Sequence, residues 1–280
     1  MPILAVLMFL IGTELRQTSF KEIIRTPIPI LIGLIGQLLI LPLIALFLGC
    51  LLDLNPLYFT GLMLIALSPG GSSSNVFTLL VKGNVELSVL LTLLSSIITI
   101  ITLPIAMNLI SHNLLSDTRI VVDMIGEKIL LQNILLTIIP ILLGIVLRII
   151  YPNMIHNVSK VLHKIVLPSL LVLVLLFIIQ HFREIYDNIL ELGSAVAGLI
   201  TIAMLCSTML SRLCKLSIPI KRTIVIEVGM QNAAQAIAIA TSPLIFNNEQ
   251  IALPAVIYTL FMNVILLSYV MLCNQKQLER

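Results

Sequence analysis

Glu227 stands in TIVIEVGMQNAAQAIAIA, Thr223 to Ala240, a stretch otherwise apolar enough to lie in lipid. Two side-chain amides, Gln231 and Asn232, follow it within about one and a half helical turns. A carboxylate at the centre of a membrane helix costs about 2.5 to 3.5 kcal/mol on insertion scales, so such a group has a cation or a proton to manage. A second polar knot is Ser68-Pro69-Gly70-Gly71-Ser72-Ser73-Ser74-Asn75. Proline removes a backbone donor and clashes with the preceding turn, and glycine carries the highest ordinary helix penalty, so a helix should break here. The serines and Asn75 then open a new half-helix. Its unpaired N–H groups suit an anion, and the nearby hydroxyl and amide oxygens suit a hard cation.

Other polar residues share this pattern. Ser88 and Thr92 are four apart and hence on one helix face, and Ser95, Ser96 and Thr99 extend roughly the same side. Gln37 is a lone amide in GLIGQLLILP, and Thr259 with Asn263 is another pair at helical spacing. Each has a plain structural use when taken singly: a Pro/Gly kink that helps packing, hydroxyls bonded back to their own helix, an amide at an interhelical contact. The two knots together point further. Interrupted helices at corresponding places in two halves of a chain are the sequence sign of a secondary transporter built from inverted repeats.

The elements that must position these residues follow from composition. Of 280 residues 59% are hydrophobic and only 10% charged, and the mean hydropathy is +1.14. Soluble domains carry about 25% charged residues, so this is an all-α polytopic membrane protein. Nine spans are expected near 2–15, 28–51, 57–81, 85–112, 129–150, 160–181, 190–213, 220–242 and 251–273. Breaks such as Asn55-Pro56, Lys82-Gly83-Asn84 and Tyr151-Pro152-Asn153 separate them, as does the polar run Arg183 to Asp187. Of the 16 Lys and Arg, only Arg119, Lys128 and Arg183 fall outside if the N-terminus is out, which sets an N-out, C-in orientation. The net charge of +3 belongs to those loops, and no basic cluster interleaved with aromatics suggests nucleic acid.

The first span would rise only about 21 Å, short of the hydrocarbon thickness. It is followed by Glu14, Arg16 and Lys21 rather than by a small-residue cleavage site, which argues against a signal peptide and for a missing upstream stretch. If the third and eighth spans correspond, spans two to four match seven to nine, span six matches span one, and the partner of span five is absent. Five helices per repeat is an odd number, so the repeats are inverted. Cys50, Cys206, Cys214 and Cys273 show no CxxC spacing and read as packing residues, and His112, His156, His163 and His181 show no metal-ligand grouping.

SPGGSSSNVFTLLVKGNVELSVLLTLLSS, Ser68 to Ser96, and IEVGMQNAAQAIAIA, Ile226 to Ala240, resemble the two signature regions of the bile acid:sodium symporter family. The similarity extends to GQLLILP, Gly36 to Pro42, and IGTELR, Ile11 to Arg16, in order along nearly the whole chain. The resemblance implies one membrane domain over 1–280, with two crossing discontinuous helices. A core would come from 28–112 and 190–273, and a panel from 1–27 and 120–182, as in the family's nine-helix form. It implies two sodium ions. One would be held by Ser74, Asn75, Ser88, Thr92 and Glu227, the other by Gln37, Glu227, Gln231 and the backbone carbonyls of Val228 and Met230. Substrate contacts would be Ser72, Asn232 and Asn263, although Met262 and Ser72 stand where relatives carry other residues.

The expected function is therefore Na+-coupled uptake of a small organic anion, bile-acid-like or another carboxylate or sulfonate, by alternating access in the plasma membrane. The partners are the lipid bilayer and the anion, and every ligand comes from one chain, so no oligomer is required. The alternatives left open are a proton-coupled or metalloid exporter on the related fold, a non-transporting receptor, and an inactive truncated homologue. No HExxH motif, paired intramembrane aspartates or Ser/His pair at depth suggests an enzyme.

Overall fold

Helix starts in this chain are set by proline and by short polar caps. The computed structural model describes residues 2–14, 27–71, 73–114, 128–129, 131 and 134–278, and among them every regular element is helical. In order these are α1 (Pro2–Glu14), α2 (Pro27–Leu51), α3 (Pro56–Ala66), α4 (Ser74–Leu80), α5 (Val85–Leu114) and α6 (Ile134–Ile150). They continue with α7 (Pro152–Gln180), α8 (Phe182–Leu213), α9 (Ile218–Gly229), α10 (Ala233–Ala240) and α11 (Glu249–Leu278). Asn55 caps α3 by accepting from Leu57 N at 2.9 Å, ahead of Pro56, and Asn248 accepts from Gln250 N at 2.9 Å at the start of α11.

Among the described residues four helices are long and apolar enough to cross a bilayer: α2, and the stretches Val85–Ile110, Ile185–Leu213 and Glu249–Gln275. Shorter apolar helices run over Leu4–Thr13, Pro56–Ala66 and Ile134–Ile150. Exposed side chains confirm which solvent these helices meet. On α2 the outward row is Leu31, Ile35, Leu39, Leu43 and Phe47, four residues apart, and on α5 it is Ile97, Ile101, Ile105 and Leu109. Stripes of this length in water would be an aggregation hazard, whereas in lipid they are the ordinary surface of a span.

Two helix boundaries differ from the sequence expectation. The spans expected at 160–181 and 190–213 begin earlier, at Pro152 and Phe182, and only Tyr151 and His181 interrupt the chain there. Pro152 fits the first turn of a helix, and the polar Arg183, Asp187 and Glu191 are carried on the exposed first turns of α8 rather than in a loop. Arg16, Lys21, Arg25, Arg119 and Arg280, whose charges contribute to the expected orientation, lie outside the described residues.

The expected breaks are present. The third span divides into α3, ending at Ala66, and α4, starting at Ser74, and the eighth into α9, ending at Gly229, and α10, starting at Ala233. One more irregularity was unforeseen. Residues Gly36–Ile40 of α2 form a π-turn in which Leu41 N bonds to Gly36 O, because Pro42 has no N–H to offer Leu38 and its ring crowds that carbonyl.

Packing divides between two neighbourhoods. α1 lies on α6 and α7, with Gly12 against the backbone of Ile141 and Gly144 against Phe9 O, so the two helices touch main chain to main chain. The larger apolar core joins α2, α3, α5, α8, α9, α10 and α11, and buries Tyr258, Leu91, Leu62 and Ile226. A smaller cluster of Leu4, Met8, Ile11, Leu93, Ile141 and Ala238 connects α1 and α6 to α5 and α10.

Candidate functional site

A helix that stops inside the membrane leaves carbonyls without partners, and here four consecutive ones are each met by a donor. Glu227 O accepts from Gln37 Nε2 at 3.0 Å, and Val228 O from Gln231 Nε2 at 3.0 Å. Gly229 O accepts from the Tyr258 hydroxyl at 3.1 Å, and Met230 O from Gly71 N at 3.0 Å. The two breaks therefore close on one another. Gly70 and Gln231 form a single antiparallel bridge, and Asn232 N donates to Pro69 O at 2.8 Å. Gly70 N is taken up by the Ser95 hydroxyl at 3.2 Å.

Glu227 lies at this crossing and is fully buried. Thr92 donates to its Oε1, and Ser88 donates to Oε2 at 2.9 Å. The Ser74 hydroxyl sits 3.3 Å from Ser88 Oγ and 3.4 Å from Thr92 Oγ1, and Thr78 donates to Ser88 Oγ at 3.3 Å. Ser88 and Thr92 reach one carboxylate because they are four residues apart on α5, and Ser74 and Thr78, four apart on α4, both reach the Ser88 hydroxyl. Asn75 follows Ser74 on the first turn of α4 and is half-buried. Among the described residues no basic side chain forms an ion pair with Glu227; His181 Nε2 lies 2.9 Å from Glu249 Oε2, away from the crossing.

The other amides face the same crossing. Gln37 Oε1 and Gln231 Oε1 are buried and have no hydrogen-bond partner among the described residues, although their nitrogens are both engaged. Buried oxygens left this way are rare and ask for an occupant. Gly70 shows how tight the place is: a methyl group there would lie 2.7 Å from Gln37 Nε2 and 3.0 Å from Glu227 Oε1. The π-turn of α2 sets the angle from which Gln37 reaches in. The sum is one carboxylate, the carbonyl end of a helix and two free amide oxygens, all negative or partly negative. Such a set holds a cation with a preference for oxygen ligands.

Beside the crossing is a cleft lined by Leu7, Ser73, Gln231, Asn232, Thr259 and Met262, together with neighbouring small residues of α10. Asn232 caps α10, its side chain accepting from Gln235 N at 3.1 Å, and stays nearly buried. Asn263 donates to Thr259 O at 2.7 Å, one turn along its own helix, and is half-buried. Ser72 lies outside the described residues. Sequence reasoning missed Thr78 and Tyr258. Thr78 stands four residues after Ser74 and was findable by that spacing, whereas Tyr258 sits in an apolar run with nothing to mark it.

Residues 1–192 match the family described as the sodium bile acid symporter family. The chain is 31% identical over 271 residues to an uncharacterized sodium-dependent transporter, YocS, of Bacillus subtilis, which covers 93% of this chain and 78% of that protein. It is 30% identical over 254 residues to a probable chloroplastic sodium/metabolite cotransporter, BASS1, of Arabidopsis thaliana, covering 91% of this chain and 61% of that one. It is also 29% identical over 241 residues to sodium/bile acid cotransporter 4 of Mus musculus, covering 84% of this chain and 54% of the other.

Proposed function

The chain belongs to the sodium bile acid symporter family, and from that footing we propose that it is a secondary transporter coupling Na+ entry to uptake of a small organic anion. The observation that carries this is the buried Glu227 carboxylate, met by the Ser88 and Thr92 hydroxyls beside the carbonyl end of α9. An uncompensated buried charge is strongly unfavourable, and Na+ would remove that cost while taking oxygens that the fold already offers. One ion would sit with Ser74, Asn75, Ser88, Thr92 and Glu227. A second would use Gln37, Glu227, Gln231 and the Val228 and Met230 carbonyls, each of which keeps a lone pair beyond its present hydrogen bond.

The anion would enter the cleft beside the crossing and meet Ser72, Asn232 and Asn263. With α3 and α4, and α9 and α10, taken as single broken spans, the helices of the described residues would make nine crossings, with the N-terminus outside and the plasma membrane as the site. Transport would proceed by rocking of a panel, from 1–27 and 120–182, against a core from 28–112 and 190–273. The mutual packing of α1, α6 and α7 supports that division. The names of relatives, a sodium/metabolite and a sodium/bile acid cotransporter, support a carboxylate or sulfonate as cargo.

Uptake of a panel of labelled carboxylates and sulfonates into proteoliposomes tests this. Replacing outside Na+ by K+ is expected to abolish accumulation, and Glu227→Ala to do the same in Na+. Uptake undiminished by either change would sink the proposal.

A further inference from the structure

The site at Glu227 does not end at Glu227. On each of three helices a second oxygen stands one turn, about 5.4 Å, nearer the same membrane face. Thr223 precedes Glu227 by four residues on α9, Asn84 precedes Ser88 by four at the start of α5, and Thr78 follows Ser74 by four on α4. They meet. Asn84 N donates to the Thr223 hydroxyl at 2.7 Å, and the hydroxyl hydrogen faces Pro219 O at 3.0 Å and Asn84 O at 3.2 Å. Gly83 N donates to Thr78 O at 2.8 Å, and Thr78 donates to the same Ser88 hydroxyl that holds Glu227.

The row is continuous in burial as well as in chemistry. Glu227, Ser88, Thr78 and Thr223 are fully buried, Gly83 and Asn84 half-buried, and Lys82 exposed. Gly83 is the narrow point. A methyl group on it would lie 2.7 Å from Thr223 Oγ1, 2.9 Å from Thr78 Cγ2 and 3.2 Å from Thr78 O. The turn carrying it is held in place by Arg222, which donates to Val81 O at 2.8 Å and to Cys273 O at 3.3 Å.

We propose that Thr78, Ser88, Asn84 and Thr223 form a relay site for Na+, through which the ion at Glu227 passes to water at the α4–α5 turn, with Gly83 as the constriction. It rests on the sodium coupling proposed above. A cation leaving a buried carboxylate must find an oxygen at every step, because bare passage through an apolar interior is prohibitive. From Glu227 the polar groups run in two directions. One leads through Gly70 and Gln37 to the crossing and its cleft, the other down this row to the surface. Two exits on opposite sides of one ion site are what alternating access requires. The relay oxygens hydrogen-bond in two pairs here, Thr78 with Ser88 and Thr223 with Asn84, so a passing ion would replace those bonds in turn.

Sodium-jump currents on a solid-supported membrane test the relay without knowing the anion, using the full chain reconstituted in either orientation. Thr223→Val and Thr78→Val keep side-chain volume and delete the hydroxyl, and Gly83→Ala narrows the passage. Each is expected to slow relaxation about tenfold when Na+ is applied at the Lys82 face. From the opposite face the Na+ concentration for half-maximal charge movement should stay within about twofold in Gly83→Ala, which touches no group of the Glu227 site, and Thr223→Ser should behave as the natural protein does. Unchanged relaxation in all three variants, or equal slowing from both faces, overturns the relay alone. Absence of any Na+-driven charge movement in the natural protein overturns the coupling and the relay together.

Discussion

Gly70 is the residue at which packing and ion binding are hardest to separate. It carries ordinary negative φ, so the backbone would accept alanine; what forbids a side chain is the Gln37 amide and the Glu227 carboxylate against its Cα. Gly70→Ala is expected to cost about 1–3 kcal/mol of stability from overpacking. It should also weaken Na+ protection against thermal unfolding, since the added methyl pushes on two of the oxygen-bearing side chains. The check is the unfolding midpoint at low and high Na+. Saturating Na+ at about 100 times its dissociation constant adds about 2.7 kcal/mol to a protein that binds it. A variant that loses stability yet keeps the full Na+ increment would show that Gly70 serves packing only. At this scale the sequence was informative for a physical reason. Glu227, Gln231, Ser74, Ser88 and Thr92 stand out because polar groups in apolar helices are costly, and helical spacing puts the hydroxyls on one face. Tyr258 contributes an equally definite hydrogen bond, to Gly229 O, but an aromatic residue in an apolar run advertises nothing.

Elements were legible where the chain punctuates them with proline and glycine. Pro69-Gly70-Gly71 foretold the first break; the second, at Met230–Asn232, has only Gly229 beside it and was legible through Glu227, Gln231 and Asn232 instead. The starts of α7 and α8 were misplaced because polar residues at a membrane surface can stay helical, so polarity alone does not mark a loop there. The π-turn of α2 was not foreseen, although Pro42 causes it. It has a consequence for Gln37. With a donor at position 42 the ladder can close in ordinary α-helical register, which turns Gln37 relative to the lower half of α2 and draws its amide away from Glu227 O. Pro42→Ala is therefore expected to leave stability equal or higher, since a mid-helix proline costs up to about 3 kcal/mol. Na+ affinity should fall about tenfold, the scale of one lost hydrogen bond to the site. Half-maximal Na+ concentration, read by thermal protection, measures it. Unchanged affinity would mean that the π-turn is a proline accommodation without a part in the site.

For the whole molecule the decisive quantity is charge per cycle. Two ions sharing one carboxylate with a monoanionic cargo would carry one net positive charge inward, whereas one ion with the same cargo would carry none. The membrane potential contributes about 2.3 kcal/mol per charge at 100 mV, which is about a fiftyfold difference in accumulation. That is large against other effects on a reconstituted carrier, so the two stoichiometries are separable without resolving either ion. Proteoliposomes loaded with K+ and treated with valinomycin supply an inside-negative potential at fixed Na+ gradient. Initial uptake of the transported anion is expected to rise when the potential is imposed, and to vary with the square of Na+ concentration at low Na+. Gln37→Ala removes a side chain from one proposed ion site only, and Ser74→Ala from the other. If each site holds its own ion, either variant should lower the Na+ order of uptake towards one. Loss of either ion leaves one Na+ with one monoanion and no net charge, so either variant should also remove the voltage response. Uptake that ignores the potential and follows Na+ to the first power in the natural protein would reduce the crossing to a single-ion site. The free amide oxygens of Gln37 and Gln231 would then serve the anion's hydration or the fold, and not a second sodium.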